Sequence, residues 1–257
     1  MFILLLLFNF RATSESATSL ETVAFAENNT ETAGSALSAQ EQLAILNQKA
    51  VTLTSQPGWV FIRSTVVYDT DTENNGILPN GQEIPLSQIN EDWFHINEDG
   101  LVYESVDTMY TTDGEVVQTA VFADNFSWNS ATDEKSYQAP YSLDGMSGDL
   151  ASLMQEMIDR TGQMPDMTVN ELDGRKIYTF TISYEPDEPI KGFDFDQAVT
   201  EIITVVSIDN DTGLPVQYDQ IMVFEDGTER AFYRTSFEIQ IGVTPPENIV
   251  KLIEERK

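Results

Sequence analysis

At 257 residues, with 41% hydrophobic and 10% aromatic content, the chain is long enough to bury a substantial core. Its 43 acidic residues outnumber 13 basic ones, for a formal charge of −30. That balance argues against nucleic acid and against anionic lipid headgroups, both of which require clustered Lys and Arg. The absence of cysteine excludes a disulfide framework, a thiolate metal site, a cysteine nucleophile and an acylated lipobox anchor.

In chain order, Phe2–Phe10 is an apolar run of signal-peptide length, too short to span a bilayer, with no basic segment before it. Ala24-Phe25-Ala26 has the small-x-small pattern of a cleavage neighbourhood. Residues 1–25 are therefore read as a leader, 26–36 as a flexible polar tether and 37–257 as one domain. Export to an extracytoplasmic location follows, with no stable membrane span once the leader is removed.

Ser38-Ala39-Gln40-Glu41 has the form of a capping box, and Leu43, Leu46 and Ala50 follow at helical spacing. A first helix is expected over residues 39–50, broken by Gln56-Pro57-Gly58. Trp59–Tyr68 alternates as a strand, with Val60, Ile62, Val66 and Tyr68 on one face. Residues 69–85 read as a long acidic loop. Gln88–Ile96 and Leu101–Tyr110 form a hairpin turning at Asn97–Gly100, and Glu115–Phe122 and Phe126–Asn129 continue a meander.

The clearest helix opens at Ser147-Gly148-Asp149. Leu150, Leu153, Met154, Met157 and Ile158 share one face, and Gly162 ends it. Strands resume after Pro165, with Tyr178, Phe180, Ile182 and Tyr184 on one face of Lys176–Tyr184, and an acidic loop follows over 187–196. The most legible hairpin is Ile202–Phe224, a β-branched run, the turn Asp209-Asn210-Asp211-Thr212-Gly213, then Pro215 at the mouth of an alternating strand. A last strand covers 230–241, and Thr244-Pro245-Pro246-Glu247 leads into a short helix carrying Ile249, Val250 and Ile253. Two meander blocks separated by one amphipathic helix suggest a single wrapped sheet.

The run Asp173-Gly174-Arg175-Lys176, the segment Ile208–Val216 with its Thr-Gly-Leu-Pro, and Thr244-Pro245-Pro246 together resemble the LolA/LppX/RseB superfamily of extracytoplasmic lipoprotein carriers and lipid-binding proteins. The resemblance spans about Ser38 to Ile253, with its specific residues concentrated after Asp173. It implies an α+β fold: a strongly bent antiparallel β-sheet, an incomplete barrel, wrapped over a few α-helices. It also implies an apolar cavity for acyl chains. The missing lipobox cysteine, the acidic surface and the long loops at 70–85 and 187–196 depart from the family pattern.

On that reading Leu150, Met154, Met157 and Ile158 face Trp59, Phe61, Trp93, Phe94, Tyr103, Phe180 and Ile182 as a ligand-binding wall. The plainer reading is that these residues close on each other as an ordinary core. Asp69-x-Asp71-x-Glu73 and Asp209-x-Asp211 place oxygens at alternate positions, as calcium needs, but neither has the EF-hand pattern and both also fit solvated turns. His95, the single histidine, lacks partners for a metal site, and no nucleophile elbow, P-loop or HExxH motif occurs. The expectation is a monomeric, non-enzymatic protein without cofactor that holds a hydrophobic small molecule or an acylated protein. The alternative is an envelope interaction or sensing module with a closed core. A secreted acidic hydrolase is a third, weaker reading.

Overall fold

The computed structural model describes residues 37–69, 74–77, 81, 83–143, 154, 157–159, 161–172, 174–186, 188 and 197–257. The expected leader and tether therefore lie outside the described residues, as do most of the loop at 187–196 and residues Leu150 and Leu153. Residues Ser38–Lys257 form one compact unit.

Helix α1 (Ala39–Thr54) begins at the expected capping box: Glu41 N donates to Ser38 Oγ at 3.2 Å and Ser38 N to Glu41 Oε2 at 2.9 Å. It runs a turn further than the sequence suggested, because Thr54 turns its hydroxyl inward onto the Ala50 carbonyl (3.0 Å) instead of breaking the helix. Strands β1 (Gly58–Tyr68), β2 (Asn74–Ile77), β3 (Glu83–Pro85), β4 (Gln88–Ile96), β5 (Leu101–Thr111), β6 (Val116–Ala123), β7 (Phe126–Asn129), β8 (Glu134–Tyr137) and β9 (Tyr141–Ser142) follow. The helical residues at 154, 157–159 and 161 belong to the mid-chain helix, which stops at Gly162 as expected, where Gly162 N donates to Ile158 O. Then come β10 (Asp166–Leu172), β11 (Arg175–Tyr184), β12 (Val199–Asp209), β13 (Pro215–Phe224), β14 (Glu229–Ile241) and helix α2 (Glu247–Glu254).

Twelve strands form one antiparallel sheet in the order β10-β11-β12-β13-β14-β1-β4-β5-β6-β7-β8, with β9 added to β5. The end strands β10 and β8 do not pair with each other, so the sheet stays open. This is the α+β, incomplete-barrel architecture anticipated above. Register shifts interrupt the ladders at His95/Ile96, Met109/Tyr110, Ser207/Ile208 and Gln220/Ile221, and such bulges strengthen local twist and bend a strand. The β6–β7 turn, Asp124-Asn125, has both residues at positive φ (52° and 63°), the two-residue geometry that matches the sheet's own twist.

Two expectations are corrected. The loop at 70–85 contains the small hairpin β2–β3, a separate two-stranded sheet. Strands β8 and β10 were not anticipated, because every residue of β8 and all but one of β10 are exposed, which leaves no apolar alternation to read.

Alternation gives the sheet an inner and an outer face. On the inner face Leu43 and Leu46 of α1 and Met154, Met157 and Ile158 of the mid-chain helix pack on Phe180, Ile182, Ile202, Val206, Tyr218 and Met222. Each such side chain contributes about 1.5–3 kcal/mol on burial. A second inner cluster joins Val60, Ile62, Phe94, Ile96, Val102, Phe122 and Leu143. The outer face is covered over its centre by α2, whose Ile249 and Ile253 pack on Val106, Val121 and Ala123.

The β12–β13 turn holds α1 in place. Asp209 Oδ1 accepts from Asp211 N (2.9 Å), Thr212 N (3.0 Å) and Thr212 Oγ1 (3.1 Å), folding the turn on itself. Lys49 of α1 donates to the Asn210 carbonyl at 2.6 Å. Gly213, at φ 73°, lies against the helix backbone so closely that a Cβ there would overlap the Leu46 carbonyl and stand 2.9 Å from Ala50 N. Gly227, at φ 80°, has nothing within 4 Å of the same position. Gly213→Ala is therefore expected to cost about 2–4 kcal/mol of unfolding free energy, from overpacking added to the left-handed backbone, and Gly227→Ala only about 1–2 kcal/mol. Urea unfolding of the two variants, compared at equal m-value, checks the difference.

Candidate functional site

Of the eleven residues expected to line one pocket, Leu150 lies outside the described residues and the other ten divide between two faces. Met154, Met157, Ile158, Phe180 and Ile182 do come together, but with exposures of 0–8% they close on one another as core. Phe94 is on the same inner face, in the second cluster beside Val60 and Ile62. Trp59, Phe61, Trp93 and Tyr103 lie on the outer face, away from the mid-chain helix. The registers Trp59↔His95, Phe61↔Trp93 and Trp93↔Val106 fix this, because neighbours in a row share a face. Their expected placement opposite Met154 does not hold: strand period two sends Val60 and Ile62 inward, and so Trp59 and Phe61 outward.

The outer aromatics form a seat for α2 and for the last residues. Trp59 stacks on His95 with ring centroids 4.3 Å apart, and Phe61 tilts against Trp93 at 4.6 Å. His95 Nδ1 lies 2.8 Å from Glu104 Oε2, and the Tyr103 hydroxyl 2.6 Å from the same nitrogen. Lys257 Nζ reaches Glu104 Oε1 at 2.7 Å, and the Arg256 guanidinium sits 3.6 Å over the Trp128 ring. Burial opposes charge on Glu104, yet the Lys257 and His95 hydrogen bonds overcome it and hold its carboxyl below the ordinary range. All these groups are satisfied by each other. The site packs a helix.

The calcium motifs are likewise occupied, as far as they are described. Asp69 takes a bidentate contact from Arg230 (2.7 and 3.2 Å), and Asp209 Oδ1 is consumed by its own turn. Among the described residues, no group of three or more His, Asp or Glu side chains is placed to hold a metal ion. An open dent of about 260 Å³ between α1 and the β12–β13 turn is lined by Gln48, Lys49, Thr52, Leu53 and Asp211, and encloses nothing.

The inner face between its two clusters is different. Three rows cross β14, β1, β4 and β5 in register: Phe237–Ser64–Asn90–Met109, Ile239–Ile62–Asp92–Asp107 and Ile241–Val60–Phe94–Ser105. Phe237, Ile239 and Ile241 are only half-buried there, although they pack against the clusters on either side. Asn90 and Ser64 satisfy each other through a 3.2 Å hydrogen bond, and Gln88 donates to Asn90 at 3.3 Å. Asp92 and Asp107 stand directly opposite each other without such relief. Asp107 Oδ2 receives a long contact from Ser105 Oγ (3.4 Å), while Asp107 Oδ1 has neither accessible surface nor partner.

Both carboxyls are surrounded by protein. The pair lies on the inner face one strand beyond Ile62, with the Tyr141 phenol close enough to feel both carboxyls. Burial pushes the Asp107 carboxyl from its ordinary 3.8 up to about 7. Burial, then the Asp107 charge, then Glu91 raise Asp92 well above its ordinary value. Burial and the same two aspartates raise the Tyr141 phenol. Sequence reasoning missed this inward pair, although a signal was present: in QINEDWFHI, period two puts Asp92 on the same face as the apolar Phe94 and Ile96.

No family model matches the chain, and no curated protein matches it. Among solved structures it is similar to MucB in complex with MucA(peri), at 16% identity over 80% of the chain with TM-score 0.39. It spans 58% of that protein, less than two thirds of its length. It is also similar to the lipoprotein LppX of Mycobacterium tuberculosis (12% identity over 81% of this chain and 99% of that one, TM-score 0.40). LprF from Mycobacterium bovis follows at 14% identity, over 82% of this chain and 99% of that one, with TM-score 0.37.

The raised carboxyls set the sign of a pH effect. Below the unfolded value both states are protonated and burial costs nothing. As pH climbs from 3.8 toward about 7 the unfolded Asp107 ionises before the folded one, so the folded state loses stability through that range, and the raised Asp92 acts in the same direction. Replacing both residues (Asp92→Asn with Asp107→Asn) is expected to raise Tm by several degrees at roughly pH 8 and by nothing at roughly pH 3. Thermal melts of parent and variant across that range test it.

Proposed function

We propose that the protein is an exported, non-catalytic binding protein that holds an apolar chain against the inner face of its sheet. The observation that carries the reading is the half-buried Phe237–Ile239–Ile241 edge, apolar surface left open on a face whose flanking clusters are closed. On the outer face α2 covers Val106, Val121 and Ala123, while Trp59, Phe61 and Trp93 stay half-buried around it. The resemblance of the Asp209–Pro215 hairpin and the Pro245-Pro246 element to extracytoplasmic lipid-binding proteins supports the same class of ligand and an envelope or secreted location. Among the described residues, no helix is long and apolar enough to cross a membrane.

The mechanism is passive transfer from water. Each methylene buried against this face contributes about 0.8 kcal/mol, so a chain of ten carbons supplies enough to offset lost freedom of motion. A second reading, a protein-interaction module, is favoured by β10. Seven residues long, it forms one end of the sheet, keeps an unbroken register with β11 and exposes Val169 and Leu172 at 48% each. Such an edge is a template for an added strand.

The two readings separate in a titration with the neutral apolar probe N-phenyl-1-naphthylamine. The parent protein is expected to give a saturable rise in probe fluorescence. Ile239→Asp should weaken binding about tenfold or more, equivalent to roughly 1.4 kcal/mol, whereas Trp93→Ala on the outer face leaves it in place. Trp59, Trp93 and Trp128 all pack around the outer cluster, so tryptophan emission should not shift on binding. A flat titration of the parent sinks the carrier reading and leaves the interaction module.

A further inference from the structure

We propose that strand β10 receives a basic, β-branched segment of another protein as an added antiparallel strand, with cations opposite Asp166 and Glu171 and apolar side chains opposite Met167, Val169 and Leu172. This rests on the reading of β10 as a template for an added strand and supplies the charge and side-chain pattern of the partner. β10 ends the sheet, and among the described residues nothing pairs with its free side. Its seven positions run in unbroken register with β11, from Asp166↔Thr181 to Leu172↔Arg175, so the strand is extended along its whole length. All of its residues except Met167 are exposed.

Natural sheets blunt an open edge by keeping it short, by placing Lys or Pro on it, or by bulging it. The opposite end of this sheet follows that rule. β8 has four residues, and its Lys135 lies 4.7 Å over the Phe126 ring. β10 follows none of it: the strand is longer, contains no Lys, Arg or Pro, and has no register shift. Val169 and Leu172 add exposed apolar surface to the same edge.

The sequence of β10 sets what an added strand must carry, because residues opposite each other share a face and touch. On the inner face Met167 and Val169 extend the rows of Phe180 and Tyr178, and Glu171 follows them. On the outer face Asp166 and Leu172 stand at the two ends, with Thr168 and Asn170 between. Among the described residues neither Asp166 nor Glu171 has an ion-pair partner, so both carboxylates are left for an incoming chain. A second copy of the chain fits worse, since each copy carries −30 and one short strand is little contact for a stable dimer. The same field draws a basic segment in.

The test uses the whole protein and a terminally blocked peptide, Val-Lys-Thr-Val-Thr-Ile-Lys, which laid antiparallel puts its first residue opposite Leu172 and its last opposite Asp166. Two companions replace both lysines, one by Gln and one by Glu. Each is titrated to about 1 mM, since a single added strand binds weakly, at roughly 0.15 M salt. The parent is expected to bind the Lys peptide about tenfold or more tightly than the Glu peptide, with the Gln peptide between them. Amide hydrogen exchange should slow in β10 and not in β8. Val169→Lys puts an inward-pointing charge on the edge and should weaken the Lys peptide about tenfold, while the net charge changes by only one unit. In the double variant Asp166→Lys, Glu171→Lys, changed only at exposed positions, the preference should invert toward the Glu peptide.

Binding of the Lys peptide that survives Val169→Lys, or that leaves β10 exchange unchanged, overturns the proposal. Equal binding of all three peptides, lost in Val169→Lys, removes the basic partner and leaves the edge as a strand template. A parent that sediments as a dimer, and as a monomer once Val169→Lys is made, assigns the edge to a second copy and overturns the proposal. A parent that binds none of the peptides and stays monomeric overturns both the proposal and the strand-template reading beneath it.

Discussion

The pairing of β1 with β14 on one edge and β4 on the other makes one sheet out of two meanders. Every other neighbour along the main path, from β10 to β14 and from β4 to β8, is adjacent in sequence and can form from a local turn. The β1 ladders are long, running from Val60↔Ile241 to Tyr68↔Tyr233 and from Gly58↔Ile96 to Val66↔Gln88. Because the three strands are in register, their inward residues line up across the seam. A polar or acidic residue at one inward position is thereby set in a row with apolar neighbours contributed by distant parts of the chain. Asp92 reaches Ile239 only through Ile62.

A sheet this wide has two faces to cover, and the protein uses different means on each. Inside, α1 and the mid-chain helix lie over β11–β14, and the turn at Asp209–Gly213 fixes α1 by backbone contact as much as by side chains. Outside, α2 lies over the strands around Val106 and Val121, anchored by two isoleucines and by its final residues on Glu104 and Trp128. Between the inner clusters Phe237, Ile239 and Ile241 of β14 stay half-buried, while Val60 and Ile62 beside them are closed. The acidic pair lies across Ile62 from them, where low polarity amplifies every charge.

Much of this was legible from the residues. The capping box at Ser38, the β-branched run of β12, the turn at Asp209–Gly213 and the inward set Tyr178, Phe180, Ile182 all carry periodicity or turn chemistry that tertiary context has no reason to override. What failed was the assignment of partners. Trp59 and Phe61 are large and apolar, which made them attractive as pocket wall, but size does not say which face of a two-sided sheet a residue serves; only register does. Asp92 failed in the opposite direction. In a chain with 43 acidic residues one more carboxylate carries no signal, and its significance comes from Asp107 across the ladder. Strands β8 and β10 failed because neither is half-buried.

The long-range seam also governs when the molecule can become itself. Residues 60–68 must wait for residues 233–241 before one edge of the central strand is filled, so closing that loop enlists nearly the whole described chain. Contacts of such high sequence separation make folding slow and late. A chain delivered from its amino end therefore keeps β1 half-paired until β14 arrives. Its rigidity comes with the last strand.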